Sequence, residues 1–393
     1  MMRWASAISE ADSVGSAVQE LSSALQADLQ GASVDLLLVF FSGMFVAEAE
    51  ALAMGLRRAF PGARLMGCSG GGVLADGQER EGRDAVAVSA ASLPDVLLQL
   101  SHVEPEELAA RAKAPLRWRM ALDLIPEQQP VFVVLPDPFS VRAEAMAEGL
   151  DRAFPRCVKV GGLASGGEGP GQHRLLLDDG VHHDGALVLV MTGDIEARPL
   201  VAQGARPLAA PWVVTEADGQ VIRTVDNTPV VDALEEAMAA MSEAERRLFR
   251  RSALVGVATE LARPDGPRPT DFLVRPVVGL SRAEGALAIG TVVDNGAVVQ
   301  LHVRDAHSAS AELQDLVSRE ARLSTEAGEP AVALVFSCLG RGMGLFGVPN
   351  HDSRVLGDAF EKMPMVGFFC NGELGPVHGR TWMHGYTASV AFL

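Results

Sequence analysis

The sequence predicts an α+β protein of two domains, with mainly antiparallel or mixed sheets covered by helices. Two observations carry that prediction. First, one arrangement of helix, strand, helix, strand, glycine turn and two strands recurs along the chain. Its marks are Ala-Phe pairs that end helices (Phe60, Phe154, Phe360), each followed seven residues later by glycine (Gly67, Gly161, Gly367). Second, the stretch Glu196 to Pro211 carries Pro199, Pro207 and Pro211 and reads as a boundary. The expected domains are therefore 30–207 and 208–393. With 393 residues, 48% hydrophobic and 21% charged, the chain has ample material for two cores.

The elements follow in order. Ser9 is placed to cap a first helix, in which Val14, Ala17, Val18, Leu21, Leu25 and Leu29 keep a helical period until Gly31. Val34 to Ser42 is dense in Leu, Val and Phe and reads as a buried strand. A helix from Glu48 stops at Phe60 before Pro61-Gly62. A short strand, Arg64 to Met66, leads into the cluster Gly67 to Gly72, and strands follow at Gly72 to Ala75 and Asp84 to Ser92. The second unit places helices at Pro105 to Leu122 and Val141 to Phe154 and strands at Pro130 to Leu135, Val158 to Gly161, Arg174 to Leu177 and Gly185 to Met191. The third places helices at Ala309 to Leu323 and Ser353 to Phe360 and strands at Ala331 to Cys338, Met365 to Phe369 and Tyr386 to Leu393. Phe60 and Phe154 are 94 residues apart and Phe154 and Phe360 are 206 apart, which leaves room for a divergent fourth unit. Residues between Pro211 and Arg304 read differently. Asp218-Gly219 marks a hairpin between Trp212 to Glu216 and Val221 to Val225. A helix covers Pro229 to Arg250, strands fit Ala253 to Thr259, Phe272 to Val278, Ala286 to Val293 and Val298 to Arg304, and Ala262 to Thr270 is a loop.

Composition narrows the function. Lys and Arg number 33 against 50 Asp and Glu, a net charge of −17, and that field repels a phosphate backbone, so nucleic-acid binding is disfavoured. Cys68, Cys157, Cys338 and Cys370 lie far apart with no CxxC pair, which argues against a disulfide framework or a structural zinc. The longest apolar stretch, Leu36 to Ala47, is interrupted by Ser42 and Gly43 and is too short to span a membrane, and the N-terminus lacks a secretory pattern. A cytoplasmic location without membrane insertion is the expectation.

Gly67-Cys68-Ser69-Gly70-Gly71 fits G-x-S-x-G, but a hydrolase elbow needs a helix after the turn, whereas Val73-Leu74-Ala75 reads as a strand. The equivalent residues of the other units are Leu163 and Phe369. A tight glycine turn is the competing reading. The three glycine clusters either bring backbone amides to a ligand or pack backbones closely at a sheet end. His182-His183-Asp184 does not make a metal site, because adjacent strand residues point to opposite faces. Ser337-Cys338-Leu339-Gly340-Arg341-Gly342 follows a buried strand, where Arg341 can supply a donor fork to an anion or simply be solvated. Asn371, Glu373, His378, Arg380, His384, Thr387 and Ser389 make the C-terminal stretch polar-dense. Arg341 opposite Glu373 and Asn371 would suit the two charges of an α-amino acid.

Several segments resemble the FIST-domain family in family order: GCSGGGVL (from Gly67), VGGLASGG (from Val160), VIRTVDNTPVVDALEE (from Val221), FLVRPVVGL (from Phe272), SCLGRGMGLFG (from Ser337) and MPMVGFFCNGELGPVHGRTWMHGYTASVAFL (from Met363). His378 departs from the family pattern, which often has Gly there. The resemblance implies a non-enzymatic sensory domain that binds an amino acid or similar metabolite and signals to a separate protein such as a histidine kinase. The ligand-binding residues expected are Gly70, Gly71, Cys338, Arg341, Gly342, Cys370, Asn371, Gly372, Glu373 and His384, with no metal. Two alternatives stand beside it: a haem-binding nitric-oxide sensor, as some relatives are, and a hydrolase using Ser69 or a cysteine.

Overall fold

The computed structural model describes residues 2–259 and 271–393. The expected loop Ala262 to Thr270 lies outside them. Each repeat is strand, helix, strand, helix, strand, hairpin and strand. The first runs β1 (Arg3–Ser9), α1 (Val14–Leu29), β2 (Leu36–Ser42), α2 (Ala49–Ala59), β3 (Arg64–Ser69), the hairpin β4 (Gly72–Ala75) and β5 (Gln78–Glu81), and β6 (Ala85–Ser92). The second runs β7 (Val96–Val103), α3 (Pro105–Lys113), α4 (Leu116–Leu122), β8 (Val131–Pro136), α5 (Ala143–Ala153), β9 (Lys159–Gly162), the hairpin β10 (Leu175–Leu177) and β11 (Gly180–His182), and β12 (Ala186–Gly193). The third opens with β13 (Arg198–Ala202).

An insert then intervenes. It holds β14 (Ala205–Pro207), β15 (Trp212–Asp218), β16 (Val221–Val225), β17 (Thr228–Pro229), α6 (Val230–Ala240), α7 (Glu243–Arg251), β18 (Leu254–Ala258), β19 (Phe272–Ser281), β20 (Ala286–Ile289) and β21 (Val298–Arg304). The third repeat resumes with α8 (Ala306–Ala327), β22 (Ala333–Cys338), α9 (Gly342–Phe346), α10 (His351–Ala359), β23 (Met365–Cys370), the hairpin β24 (Glu373–Val377) and β25 (Arg380–His384), and β26 (Ala388–Phe392).

The chain therefore forms two compact units, Met1–Ala202 with Leu313–Leu393, and Gln203–Glu312. The boundary placed near 208 falls close to the start of the second unit, but the chain rejoins the first at 313. Among the described residues there is no fourth repeat: the insert occupies the long interval between Phe154 and Phe360 and is an antiparallel sheet with its own core around Val214, Ile222, Val255 and Leu301.

In the first unit the three repeats exchange hairpins in a cycle. Hairpin β10–β11 extends the first repeat's sheet beside β3, β24–β25 extends the second beside β9, and β4–β5 extends the third beside β23. Each sheet has one face on a shared core, with Leu38 and Phe40, Val133 and Leu135, and Leu334 and Phe336 all buried there. Phe40 stacks on Phe368 with centroids 4.9 Å apart. The alternate residues face the outer helices: Leu37 and Val39 meet α1 and α2, Phe132 and Val134 meet α5, and Ala333 and Val335 meet α8 and α10. Burial on both faces is why these strands read as unbroken apolar runs.

Gly67, Gly161 and Gly367 sit within strands, not at the bends expected of them. Each pairs with the parallel neighbour at Val39, Val134 or Val335. A Cβ there would lie 1.8, 1.9 or 1.7 Å from that neighbour's carbonyl oxygen, so close backbone packing demands these glycines.

Local chemistry corrects three boundaries. Ser13, not Ser9, caps α1 by accepting from Ser16 N–H; Ser9 ends β1 and donates to Glu20 at 2.5 Å. The helix expected over 105–122 breaks at Ala114-Pro115, where proline lacks the N–H that a continuing helix needs. The helix expected over 229–250 breaks at Met241-Ser242, where Ser242 and Glu245 form a capping box that starts α7.

Candidate functional site

The ends of the three core strands meet in the first unit. Gly71, Ser165 and Asn371 stand at equivalent positions, four residues after Gly67, Gly161 and Gly367. Ser165 N–H donates to the Ser69 carbonyl at 3.1 Å, and Asn371 N–H to the Leu163 carbonyl at 3.1 Å. The third junction is closed by a side chain: Gly71 N–H donates to Ser165 Oγ at 2.9 Å, and that hydroxyl donates to the Phe369 carbonyl. Close approach is enforced here too, since a Cβ on Gly166 would sit 2.8 Å from the Gly70 carbonyl oxygen.

The expected ligand-binding residues lie around this junction. Cys338 N–H donates to the Thr387 carbonyl at 2.9 Å, and Leu339 N–H to the Cys370 carbonyl at 2.9 Å. Leu163 N–H donates to Gly372, whose φ of 127° turns the chain into β24. Glu373 pairs in register with both Gly162 and His384, and its Oε2 accepts from Thr387 N–H at 3.1 Å. Glu373 is fully buried, while Leu339, Gly340, Asn371, Gly385 and Tyr386 are exposed.

Arg341 is corrected in role. It is neither a solvated loop residue nor an uncommitted anion hook. It is fully buried, and its Nε and Nη2 donate to the two oxygens of Asp352 at 2.7 and 2.9 Å. Asp352, at the start of α10, also accepts from Ser337 Oγ at 2.9 Å and hydrogen-bonds His351 Nδ1 at 2.9 Å. Burial pushes its pKa up, but the Arg341 charge and these hydrogen bonds outweigh it and hold the carboxyl well below the usual range. Gly342 (φ 59°) lets the backbone pass the Glu81 carboxylate, which accepts from Met343 N–H at 2.9 Å.

Beside this pair, Glu79 of β5 is buried. Its Oε1 accepts from Ser353 N–H at 2.8 Å, and its Oε2 has no hydrogen-bond partner among the described residues. Desolvation first, and the Asp352 charge second, raise its pKa from 4.5 to about 7. Below pH 4.5 it is protonated in both folded and unfolded chains and contributes nothing to the pH dependence. As pH rises from 4.5 to about 7, the unfolded chain releases its proton and the folded chain holds it, so stability falls. The gain from Glu79→Gln is therefore expected to be about 3 kcal/mol larger at pH 8 than at pH 4. Urea unfolding at both pH values tests this, and a pH-independent difference would contradict it.

A second buried pair lies at the end of β8. Asp137 bonds His173 Nδ1 at 2.9 Å and accepts from Ser140 Oγ at 2.7 Å and Ser140 N–H at 2.8 Å. Burial raises the Asp137 pKa, but these partners outweigh it and lower it overall. Asp352, Glu79, Ser165, Asp137 and His173 were all missed in the sequence. Ser165 lies inside VGGLASGG but did not stand out from its glycines, and the other four are polar residues whose pairing comes from elements brought together by the fold.

Ser69 does not stand in an elbow. It ends β3, the turn runs into strand β4, and its hydroxyl accepts from Arg174 N–H at 3.2 Å. His384, the histidine beside these turns, is 3% exposed and has Nε2 on the Gly375 carbonyl at 3.0 Å.

Comparison with known proteins places this geometry in a family. The FIST N domain matches residues 35–228, and the FIST C domain matches 231–376. An uncharacterized protein of Mycobacterium tuberculosis (strain ATCC 25618 / H37Rv) is 34% identical over 394 residues, 99% of each chain. An uncharacterized protein of Mycobacterium bovis (strain ATCC BAA-935 / AF2122/97) is 34% identical over 329 residues, 83% of this chain and 82% of that one. Among solved structures, a cyanuric acid hydrolase from A. caulinodans aligns over 100% of this chain and 99% of that one, with a TM-score of 0.37 and 10% identity. So slight a likeness carries no inference.

Proposed function

The chain belongs to the FIST family, and on that premise we propose that it is a non-enzymatic sensor that binds an amino acid or similar small metabolite. The observation that carries the reading is the convergence of Gly70–Gly71, Cys338–Gly342 and Cys370–Glu373 at one junction, where Leu339, Gly340 and Asn371 are exposed and Glu373 is buried. Glu373 is the counter-charge for the ligand's ammonium group, and Asn371 is a neighbouring polar contact. Arg341 holds the loop through Asp352 instead of reading the ligand directly. His384 supports the wall through Gly375.

Two thiols at the junction are unsuited to nucleophilic catalysis. Burial pushes Cys68 and Cys370 well above the ordinary thiol range, so neither is a thiolate nucleophile near neutral pH. The bound state is then read by a separate signalling protein, such as a histidine kinase.

Calorimetric titration with the common α-amino acids tests the site. Glu373→Gln and Asn371→Ala are expected to keep the fold, judged by circular dichroism. Glu373→Gln should weaken binding by about 2 kcal/mol or more. Wild-type affinity in both variants would place the ligand elsewhere. Ester turnover that disappears in Ser69→Ala would overturn the non-enzymatic reading.

A further inference from the structure

At the end of edge strand β7, His102 Nε2 lies 2.8 Å from the Asp184 backbone carbonyl. A carbonyl only accepts, so Nε2 carries the hydrogen and, in the neutral ring, Nδ1 carries the lone pair. That lone pair faces a carboxylate: Glu104 Oε1 is 3.5 Å from Nδ1. Two acceptors at this distance repel unless a cation lies between them. Asp184 Oδ1 is 3.9 Å from Nε2 of the same ring, and donor atoms of His102, Glu104 and Asp184 all lie within 4.8 Å of one another. His182 stacks on His102 with ring centroids 3.8 Å apart and brings a second imidazole to the cluster. The approach depends on Gly185 (φ 73°), where a Cβ would sit 2.6 Å from His102 Nε2.

We infer that His102, Glu104 and Asp184 form a binding site for a first-row divalent transition metal, with Zn²⁺ the ion that best suits one imidazole and two carboxylates. Zinc bonds of about 2.0–2.2 Å place two ligands about 3.3 Å apart at the tetrahedral angle, close to the spacing between Nδ1 and Glu104. The Nε2–H bond to a backbone carbonyl is the outer contact that orients a metal-binding imidazole. Asp184 reaches the ion by rotating its exposed side chain, while His182 stacks on the His102 ring beside the site. A motif confined to 182–184 cannot do this, because adjacent residues diverge. The fold instead brings β7 to the connection between β11 and β12. A bound ion would tie the edge of the second repeat's sheet to the hairpin that has crossed to the first.

The test is Zn²⁺ titration of the full chain by calorimetry and by thermal melting, with Mg²⁺ as comparison. One Zn²⁺ per chain, with a melting temperature raised by Zn²⁺ and not by Mg²⁺, is the expected result. Glu104→Gln and Asp184→Asn alter exposed side chains and should leave the metal-free melting temperature unchanged. Each should weaken Zn²⁺ binding by about tenfold or more, and His102→Asn should abolish it. The inference is overturned if Zn²⁺ gives no saturable binding. It is equally overturned if all three variants bind as the wild type does, which would assign the ion to other surface histidines and leave a proton as the cation between His102 and Glu104.

Discussion

Replacing Arg341 with alanine is expected to destabilise the protein by about 3–5 kcal/mol. The substitution leaves Asp352, 2% exposed, as a buried carboxylate without its counter-charge, along with two lost hydrogen bonds. Ser337 and His351 remain, but neither supplies the fixed charge that holds Asp352 ionised. The Asp352 pKa lies below its ordinary value, so its contribution is present above pH 3.8 and is lost as pH falls further. In Arg341→Ala that acid sensitivity moves upward, because burial is then opposed only by the Ser337 and His351 hydrogen bonds. Replacing both residues by apolar side chains of similar volume should recover much of the loss. Urea unfolding at pH 7 decides the matter: a loss under about 1 kcal/mol would mean that water reaches the pair. The distinction matters for function, because lost ligand binding in an Arg341 variant reports a damaged loop, whereas lost binding in Glu373→Gln reports the ligand.

The repeat was legible in sequence because its determinants are local. An apolar strand, a helix ending in Ala-Phe and a glycine seven residues on recur without help from distant residues. Hairpin exchange was not legible. The sequence marked β4 but not β5, and nothing in Gly72 to Glu81 says that the hairpin pairs with β23 in place of its own repeat's strand. The return to the first unit at 313 was hidden for a different reason. Helix α8 runs unbroken from Ala306 to Ala327, so no Pro or Gly marks the change. At the candidate site, the glycines, cysteines, Asn371 and Glu373 stood out because the surrounding sequence is apolar. The partners of the charged residues did not. Asp352 lies 11 residues beyond Arg341, past α9 at the start of α10, and Glu79 lies 274 residues before Ser353. Such pairs are written in the topology and not in the spacing, and Arg341 therefore read as available when it was already committed.

Gly367→Ala is expected to cost about 3 kcal/mol or more, while Gly357→Ala, ten residues earlier, is expected to stabilise by about 0.5–1 kcal/mol. The contrast rests on what each new methyl meets. At Gly367 it would lie 1.7 Å from the Val335 carbonyl oxygen and 2.6 Å from its carbon. Those atoms belong to the neighbouring strand of a parallel ladder, so relief requires prising β22 from β23 and breaking register that runs from Ala333 to Cys338. A flexible side chain could swing aside; a paired backbone cannot. At Gly357, inside α10, a Cβ meets nothing within 4 Å, and alanine only reduces the freedom of the unfolded chain. Gly67→Ala should behave like Gly367→Ala, since its Cβ would lie 1.8 Å from the Val39 carbonyl oxygen. If the three positions are one structural device used three times, the two losses should agree within about 1 kcal/mol. A mild effect at Gly367, comparable to that at Gly357, would show that the parallel strands separate easily there. It would also remove the physical reason for the repeating glycine on which the recognition of the three units rests.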